Sequence, residues 1–343
     1  MKRFSLLGLV LVMLLVCIAP LAAAGTTEVD SSAAAPAFKK TMLRFGTTSA
    51  ENTLVVASMR TFAEKVLDRT DGQVVVQIFP ASQLGDAAEI VKSVQMGAVD
   101  ICMAQPASIA SMGVKPMSVL SFPYIFKSFD HRLNVLFGEV GQELLDEISN
   151  GKINLRGFGY FPDGARSFFT AEGKPIRKFE DVKGLKLRVQ PYDLDTDMVL
   201  AMGASPTPTA FAELYSALQS GVVDGGEQPI AGFYGNKLYE ASGYFTLDEH
   251  TYNTLLVLFS ELSWKKLSPE LQALLTTAWN ESIDEYKDDI ISNEKELLDK
   301  IAASGTEIIT LTDREKWMAA MDPIYAKYGV GLESWITKIR SVE

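Results

Sequence analysis

The chain has 343 residues and a formal net charge of −11; 47% of its residues are hydrophobic and 22% are charged. This length predicts two domains, and the apolar content is sufficient for a core, which excludes disorder as the main state. The acidic balance, without a strongly basic patch, argues against a nucleic-acid partner, because the phosphates would be repelled.

Residues 1–24 have the pattern of a secretory signal peptide. A positively charged start precedes an almost wholly apolar run at residues 4–18, and the small residues at 22–24 fit a cleavage site. The apolar run is short for a helix that spans a bilayer. A retained membrane anchor is the alternative, and a loose lipobox before Cys17 leaves lipidation open.

Removal of the signal peptide would leave Cys102 as the only thiol, so no internal disulfide is possible and the core alone must hold the fold. No later segment has 18 consecutive apolar residues, so we expect a soluble mature protein. Residues 25–40 are small and polar, and we predict a flexible tether there.

The folded part is expected to begin with a βαβ unit. Met42–Phe45 is a short apolar strand pattern, and Leu54–Leu67 has the three- and four-residue apolar spacing of a half-buried helix. Asp71-Gly72 favours a turn, and the β-branched run Val74–Phe79 predicts a buried strand.

Two stretches of the chain resemble each other. Residues 89–106 and 213–229 both begin with Glu, carry a predicted helix, reach Gln-x-Gly-x-Val-Asp and end in Gln-Pro. In each, a glycine (Gly97 or Gly221) is placed to end the helix before a short strand. We predict a strand before each helix, at residues 74–79 and 185–189. The pattern favours duplication of a βαβ scheme into two lobes, with chance similarity of αβ joints as the alternative.

The rest of the chain adds two strands and a long helix. Gly157–Phe161 and Leu255–Phe259 are predicted strands. Ser268-Pro269-Glu270 is a helix start with cap, proline and acid in order, and the apolar stripe continues to residue 301. If unbroken, a helix over residues 269–303 would be roughly 50 Å long at 1.5 Å per residue, enough to strap two lobes together.

Catalytic motifs are scarce. His131 and His250 lack metal-spaced partners, and the zinc-protease, nucleophile-elbow and phosphate- or dinucleotide-binding motifs are absent from the sequence. An enzyme that uses Ser/Lys or carboxylate chemistry remains an open alternative. Three acids lie near Arg188, which could anchor an acidic substrate: Asp193, Asp195 and Asp197. Alternating acids after a strand are also typical of a solvated helix start.

Two arginines are the most informative residues. Arg166 follows a strand end in Asp-Gly-Ala-Arg-Ser, and Arg188 lies near the C-terminal end of the strand Leu185–Val189. Ligands of open α/β sheets bind outside the carboxyl ends of strands, where a guanidinium can grip a carboxylate with two parallel hydrogen bonds. A surface salt bridge is the alternative for Arg188.

The chain resembles the solute-binding proteins of tripartite ATP-independent periplasmic (TRAP) transporters, DctP type, from about Thr41 to Gly331. Several blocks carry the resemblance in the right order: Phe79–Asp86, Val94–Asp100, Phe122–Tyr124, Val182–Arg188, Gly203–Pro208, Glu213–Gln219 and Val223–Pro229.

The resemblance implies an α/β, two-lobed periplasmic binding protein fold with a central cleft and a long C-terminal helix that spans both lobes. We expect lobe I to comprise residues 41–163 and 253–292, and lobe II residues 164–252 and 293–343. The implied function is capture of a small organic acid in the periplasm and its delivery to the small and large subunits of a membrane permease, without enzymatic activity or a cofactor or metal. A ligand-sensing receptor subunit, and a hydrolase or lyase acting on an organic acid, are the alternatives.

The family's ligand contacts map onto individual positions. Arg188 matches its main carboxylate clamp and Arg166 its second arginine. The remaining expected ligand-binding residues would cover apolar faces or read polar groups, and they are Phe211, Gln228, Gln105, Thr48, Tyr124 and Asn253. The aromatic run at residues 122–126 could lie near the cleft or fill the core.

One block departs from the family pattern. Residues 225–229 are Gly-Gly-Glu-Gln-Pro, where Gly-Gln-Glu-Asn-Pro is usual, so Gly226 lacks a side chain and Gln228 carries a longer amide. This change leaves the ligand open among sugar acids such as uronates, keto acids and dicarboxylates.

Overall fold

The computed structural model describes residues 38–343, which form one compact unit. The predicted signal peptide and the tether up to residue 37 lie outside the described residues. No helix within residues 38–343 is both long enough and apolar enough to cross a bilayer.

The described residues form one mixed sheet flanked by helices. The strands are β1 (Thr41–Gly46), β2 (Val74–Phe79), β3 (Ile101–Ala104), β4 (Leu155–Thr170), β5 (Lys186–Val189), β6 (Ser205–Pro208), β7 (Gly225–Pro229), β8 (Tyr244–Ser260) and β9 (Glu307–Thr310). The helices are α1 (Leu54–Arg69), α2 (Ala87–Gln95), α3 (Pro106–Ser111), α4 (Phe129–Leu136), α5 (Glu139–Asn150), α6 (Asp193–Ala201), α7 (Leu214–Gln219), α8 (Ile230–Gly235), α9 (Glu261–Trp264), α10 (Pro269–Asp284), α11 (Lys287–Ala303), α12 (Arg314–Ala319), α13 (Asp322–Tyr328) and α14 (Glu333–Ser341).

The sheet contains two parallel triplets of the same topology. The strand order is β2-β1-β3-β8-β4-β7-β5-β6, and β9 pairs with β8. β1 is parallel to both β2 and β3, and β5 is parallel to both β6 and β7. The order 2-1-3 in one half is thus repeated as 6-5-7 in the other, which is the α/β duplication that the repeated stretches predict.

The repeated stretches adopt matching conformations. Each one runs from a helix into a short strand, α2 into β3 and α7 into β7. Gly97 and Gly221 both have a φ of +72°, the left-handed conformation that ends a helix most easily at glycine.

One correspondence predicted from the sequence is wrong. The strand that precedes α7 is β6, and residues 185–189 contain β5, which is the counterpart of β1. The sequence of β6 is Ser-Pro-Thr-Pro, which carries the turn signature of proline, and proline is tolerated in a sheet only at an edge such as this one.

β4 and β8 connect the two halves of the sheet. Residues 155–162 of β4 pair with residues 254–260 of β8 beside β3, and residues 165–170 pair with residues 244–252 beside β7. The register shifts between Pro162 and Ala165. The predicted strands at residues 157–161 and 255–259 are therefore parts of much longer strands, the first near the start of β4 and the second near the end of β8. The lobe boundaries stay a prediction.

The long C-terminal helix is interrupted. α10 ends at Asp284 and α11 begins at Lys287, so the unbroken helix over residues 269–303 is wrong. The backbone amide of Tyr286 donates a hydrogen bond to the Ile283 carbonyl, only three residues back. The side-chain hydroxyl of Tyr286 lies 2.9 Å from the hydroxyl oxygen of Thr61 on α1. This tightened turn joins two helices that pack on different cores.

The described residues form three hydrophobic clusters, and two of these lie in opposite halves of the sheet. α10 buries Trp279 against Phe45 of β1 and Phe62 of α1, while α11 buries Leu297 and Ile301 in a cluster with α8 and β8. The pair of helices therefore spans both halves, as the resemblance implies. Cys102, the single thiol among the described residues, is fully buried in β3.

The start of α10 generates a stability prediction. Ser268 caps the helix by accepting a hydrogen bond from the Leu271 amide. We expect Ser268→Ala to lower the free energy of unfolding by about 1 kcal/mol, because that amide loses its partner. Ser268→Asp should retain most of the stability, since its carboxylate can accept the same bond. Urea unfolding of both variants tests this, and equal loss in both would contradict a capping role.

Candidate functional site

A cavity of about 590 Å³ lies between the two halves of the sheet. This volume falls within the range of about 300–1,000 Å³ that is usual for small-molecule sites. Seven of the eight residues predicted from the sequence line it: Thr48, Gln105, Arg166, Arg188, Phe211, Gln228 and Asn253.

The sheet topology explains why these residues meet. Thr48 and Gln105 follow the C-terminal ends of β1 and β3, whereas Arg188 and Gln228 are each the last residue but one of β5 and β7. The parallel strands of each triplet end at the same edge, where ligands of α/β sheets bind. Arg166 and Asn253 come from β4 and β8, which run between the triplets.

Arg188 is buried but only partly bonded. Its side chain is 1% exposed; Nε donates to the Thr209 carbonyl at 3.0 Å, and Nη1 has no hydrogen-bond partner within residues 38–343. The guanidinium carbon lies 5.9 Å from the centre of the Phe211 ring. Burial lowers the pKa of Arg188 to about 10, so it remains charged at neutral pH. The site thus holds a cation with unused donor capacity.

The donor groups of Arg166, in contrast, are bonded to other residues of the chain. Its Nε and Nη2 form a two-point ion pair with the Glu227 carboxylate, with Nη2 at 2.7 Å from Oε1, and its Nη1 donates to Asn253 Oδ1 at 3.0 Å. Burial opposes ionisation of Glu227, but the charge of Arg166 outweighs it and holds the pKa of Glu227 at about 2. Arg166 lines the cavity, yet its charge is already compensated.

His250 completes this buried network. Its Nδ1 lies 2.7 Å from Asp248 Oδ2, its Nε2 lies 3.7 Å from Glu227 Oε2, and its ring stacks on Phe168 at 4.7 Å. The Nε2 contact is too long for a hydrogen bond but close enough for an ion pair. Burial opposes protonation, while Asp248 and Glu227 favour it strongly enough to raise the pKa of His250 to about 9.

Asp195 lies under the cavity rather than in solvent. The alternation of acids suggested that Asp195 belongs to a solvated helix start. Instead, it lines a void of about 20 Å³ together with Arg166, Glu227 and His250. Its Oδ2 accepts a hydrogen bond from Gln190 at 3.2 Å. Burial, and then the charge of Glu227, raise its pKa to about 7.

Asn253 acts mainly within the protein. Its Oδ1 accepts hydrogen bonds from Gln105 Nε2 at 3.1 Å and from Arg166 Nη1, and its Nδ2 donates to Asp163 Oδ2 at 2.8 Å. Three of its four hydrogen-bonding positions are therefore used. Its amide positions Gln105 and Arg166 and has little capacity left for a ligand.

Tyr124 is the predicted residue that does not line the cavity. Its ring packs at the edge of a hydrophobic core, with the Arg314 guanidinium 5.1 Å from the ring centre. A left-handed backbone (φ +57°) and a hydrogen bond from its amide to the His250 carbonyl fix it there. We therefore withdraw its expected role as a cover for the ligand; the aromatic run contributes to the core.

The missing side chain at Gly226 has a packing reason. Gly226 pairs with Phe169 on one side and Arg188 on the other, and an added Cβ would lie 3.0 Å from the Phe169 ring. A side chain at this position would require the fully buried Phe169 ring to shift by a few tenths of an ångström.

Several polar residues of the site are not apparent from the sequence. Glu227, His250, Asp163 and Glu294 line the cavity or the void beneath it, and Arg132 is buried with its Nη1 bonded to the carbonyls of Asp163 and Asn253. Among these residues, only Glu227 lies within a block of sequence that carries the family resemblance. The others are isolated in the sequence, and their contacts depend on the tertiary fold.

The raised pKa of His250 predicts a pH-dependent stability. Protonated His250 stabilises the fold fully below about pH 6.5, and this contribution is lost as the pH rises through 9. Relative to His250→Gln, the wild-type chain should lose about 3 kcal/mol of unfolding free energy across this interval. Denaturant titrations at a series of pH values measure this difference.

His131→Gln provides the control, because burial lowers the pKa of His131 instead. That variant should keep the wild-type decline above pH 6.5. An identical pH slope in the wild type and in His250→Gln would show that His250 is not the titrating group.

Comparisons with known proteins agree with this architecture. The family model described as bacterial extracellular solute-binding protein, family 7 (DctP), matches residues 45–330. The chain is 31% identical over 296 residues to the C4-dicarboxylate-binding protein DctB of Bacillus subtilis (strain 168), with 84% of this chain and 82% of the relative covered.

Solved structures of similar proteins share the fold. A TRAP periplasmic solute binding protein from Pseudomonas putida F1 with bound D-glucuronate superposes with a TM-score of 0.84 at 29% identity, covering 88% of this chain and 97% of that one. One from Sulfurospirillum deleyianum DSM 6946 with bound succinate has a TM-score of 0.82 at 32% identity, covering 89% and 100%. The chain therefore belongs to family 7 of the bacterial extracellular solute-binding proteins, the DctP-type proteins of TRAP transporters.

Proposed function

We propose that this chain captures a small organic acid anion in the cavity at Arg188, outside the cytoplasm, and delivers it to a TRAP permease in the membrane. The observation that carries the proposal is the state of Arg188: a buried cation whose Nη1 is unpartnered within the described chain, beside an arginine that is already neutralised. A carboxylate matches the forked donor geometry of such a guanidinium.

The contacts of Arg188 suit this task. The Thr209 carbonyl holds Nε, so the guanidinium is oriented before a ligand arrives. The remaining donors can then form a charge-assisted contact with little loss of conformational entropy. Phe211 would cover an apolar face of the ligand beside the carboxylate, while Gln105, Gln228 and Thr48 offer polar groups.

The ligand class follows from relatives and from the site together. The relatives named above bind C4-dicarboxylates, D-glucuronate and succinate. For this chain we propose a sugar acid such as a uronate, or a keto acid or dicarboxylate. The proposed compartment is the periplasm, and the proposed partners are the small and large permease subunits.

Release and capture require the halves of the sheet to move. We propose that lobe I (41–163 and 253–292) and lobe II (164–252 and 293–343) hinge where β4 and β8 pass between the triplets. The register shift after Pro162 and the turn at Glu285-Tyr286 interrupt the regular elements that join the halves, which favours bending at these points.

The first test removes the cation. Arg188→Ala should weaken binding of the acid by about 2–5 kcal/mol, which is roughly 30-fold to several-thousand-fold in Kd, because a desolvated carboxylate would lose its charged partner. Arg188→Lys should not restore the affinity, since an ammonium cannot form the forked contact. Titration calorimetry with each variant measures both effects.

Arg177→Ala is the matched control, because Arg177 forms an exposed ion pair with Glu307 away from the cavity. Its affinity should equal that of the wild type. Unchanged affinity in Arg188→Ala would remove Arg188 from the site.

The second test identifies the ligand class. A ligand present at 100 times its Kd should add about 2.7 kcal/mol to the stability of the folded chain, which raises the melting temperature. A thermal-shift screen of sugar acids, keto acids and dicarboxylates should yield such an increase, and Arg188→Ala should reduce the stabilisation at the same ligand concentration to below about 1 kcal/mol. The absence of any shift across all three classes would contradict the proposed function.

A further inference from the structure

α11 brings a carboxylate to the cavity that the family resemblance did not assign. Ile290, Asn293 and Glu294 lie at helical spacing on α11 and all line the cavity. Glu294 Oε1 accepts a hydrogen bond from the Ala165 amide at 3.2 Å, which holds the side chain against β4. Asp163, two residues before Ala165, also lines the cavity.

These two carboxylates are not neutralised by a cation. Within residues 38–343, neither forms an ion pair, although the buried Arg132 lies nearby. Arg132 Nη1 donates hydrogen bonds to the backbone carbonyls of Asp163 and Asn253, at 2.5 and 3.0 Å. Its Nε and Nη2 have no hydrogen-bond partner within residues 38–343. Burial raises the pKa of Glu294 to about 7 and that of Asp163 above its ordinary value.

Glu294 and Arg188 occupy different parts of the cavity wall. The charged neighbours of Arg188 are Glu227, Arg166 and Asp195, whereas those of Glu294 are Asp163, Arg132 and Glu249. Asp163 lies between the two sets, because Asn253 is hydrogen-bonded both to Asp163 and to Arg166. The cavity thus has one part with an unpartnered, 1% exposed guanidinium and another part with two carboxylates that form no ion pair within residues 38–343. Asp163 accepts hydrogen bonds from Asn253 and from the Gly164 amide, and Glu294 accepts one from the Ala165 amide.

We infer that Glu294, together with Asp163, selects hydroxylated monocarboxylates over dicarboxylates. A ligand whose carboxylate binds Arg188 would present hydroxyl groups to Glu294, whose oxygens can accept their hydrogen bonds. A second ligand carboxylate would instead meet like charge in a site of low dielectric, where repulsion is strong. This inference rests on the proposed function and favours the sugar acids over the dicarboxylates named there.

The test compares two kinds of acid on matched variants. D-Glucuronate and D-galacturonate serve as hydroxylated probes and succinate as the dicarboxylate, with Kd measured by titration calorimetry at about pH 8, where Glu294 is ionised. The variants are Glu294→Gln, which keeps the size and one acceptor but removes the charge, and Glu294→Ala. Glu296→Gln is the control, because it makes the same charge change on an exposed residue of the same helix that is ion-paired with Lys300. Thermal melting without ligand verifies that each variant is folded.

We expect the wild-type chain to bind at least one of the two uronates more tightly than succinate. Glu294→Gln should reduce the ratio of the succinate Kd to the uronate Kd about tenfold, mainly by tightening the binding of succinate. Glu294→Ala should also weaken the binding of the uronate. The control should keep the wild-type ratio.

Two results would overturn the inference in distinguishable ways. If the acids bind but folded Glu294→Gln retains the wild-type ratio, or if succinate binds more tightly than both uronates to the wild type, the role of Glu294 is wrong while the proposed function stands. If none of the acids binds to the wild type, the proposed function itself fails, and this inference fails with it.

Discussion

The site depends on one carboxylate placed beside two buried arginines. Glu227 pairs with Arg166 through both oxygens and contacts His250, so its negative charge is spent within the protein. A buried cation that loses its partner is strongly destabilising, which makes this pair a requirement of the fold. Both oxygens of Glu227 are bonded to Arg166, and burial raises the pKa of Asp195, the other acidic neighbour of Arg188, to about 7. Arg188 therefore keeps its charge available. The acidity of the whole chain does not cancel this, since screening over about 8 Å weakens remote charges at physiological salt.

The duplicated topology determines where that charge lies. Each parallel triplet ends at one edge of the sheet, and β4 and β8 carry the chain from one triplet to the other. Arg166 and Asn253 lie on these two connecting strands and are hydrogen-bonded to each other. The residues that organise the binding site are thus part of the segments that we propose to bend, and such bending would couple the position of the site residues to the relative position of the halves.

The sequence predicts the parts of this molecule whose signals are local. The strand β2, the repeated turns at Gly97 and Gly221 and the start of α10 have periodicity or cap residues that determine them. The edge strand β6 is hidden by its prolines, and the break after Asp284 depends on a contact between Tyr286 and another helix. In the site, family blocks identify Arg188 and its neighbours on the cavity wall. Glu294 could not be found in this way, because its role arises only when α11 packs against β4.

The burial of Cys102 has a consequence for work on this protein. The thiol lies fully enclosed in β3, at the centre of one half of the sheet, and burial raises its pKa, so the reactive thiolate is scarce in the folded state. An alkylating reagent can reach it only after β3 separates from its neighbours. The rate of modification therefore reports the opening of that half of the molecule without an engineered cysteine. While the sheet is intact, residues 38–343 offer no accessible thiol for oxidative cross-linking.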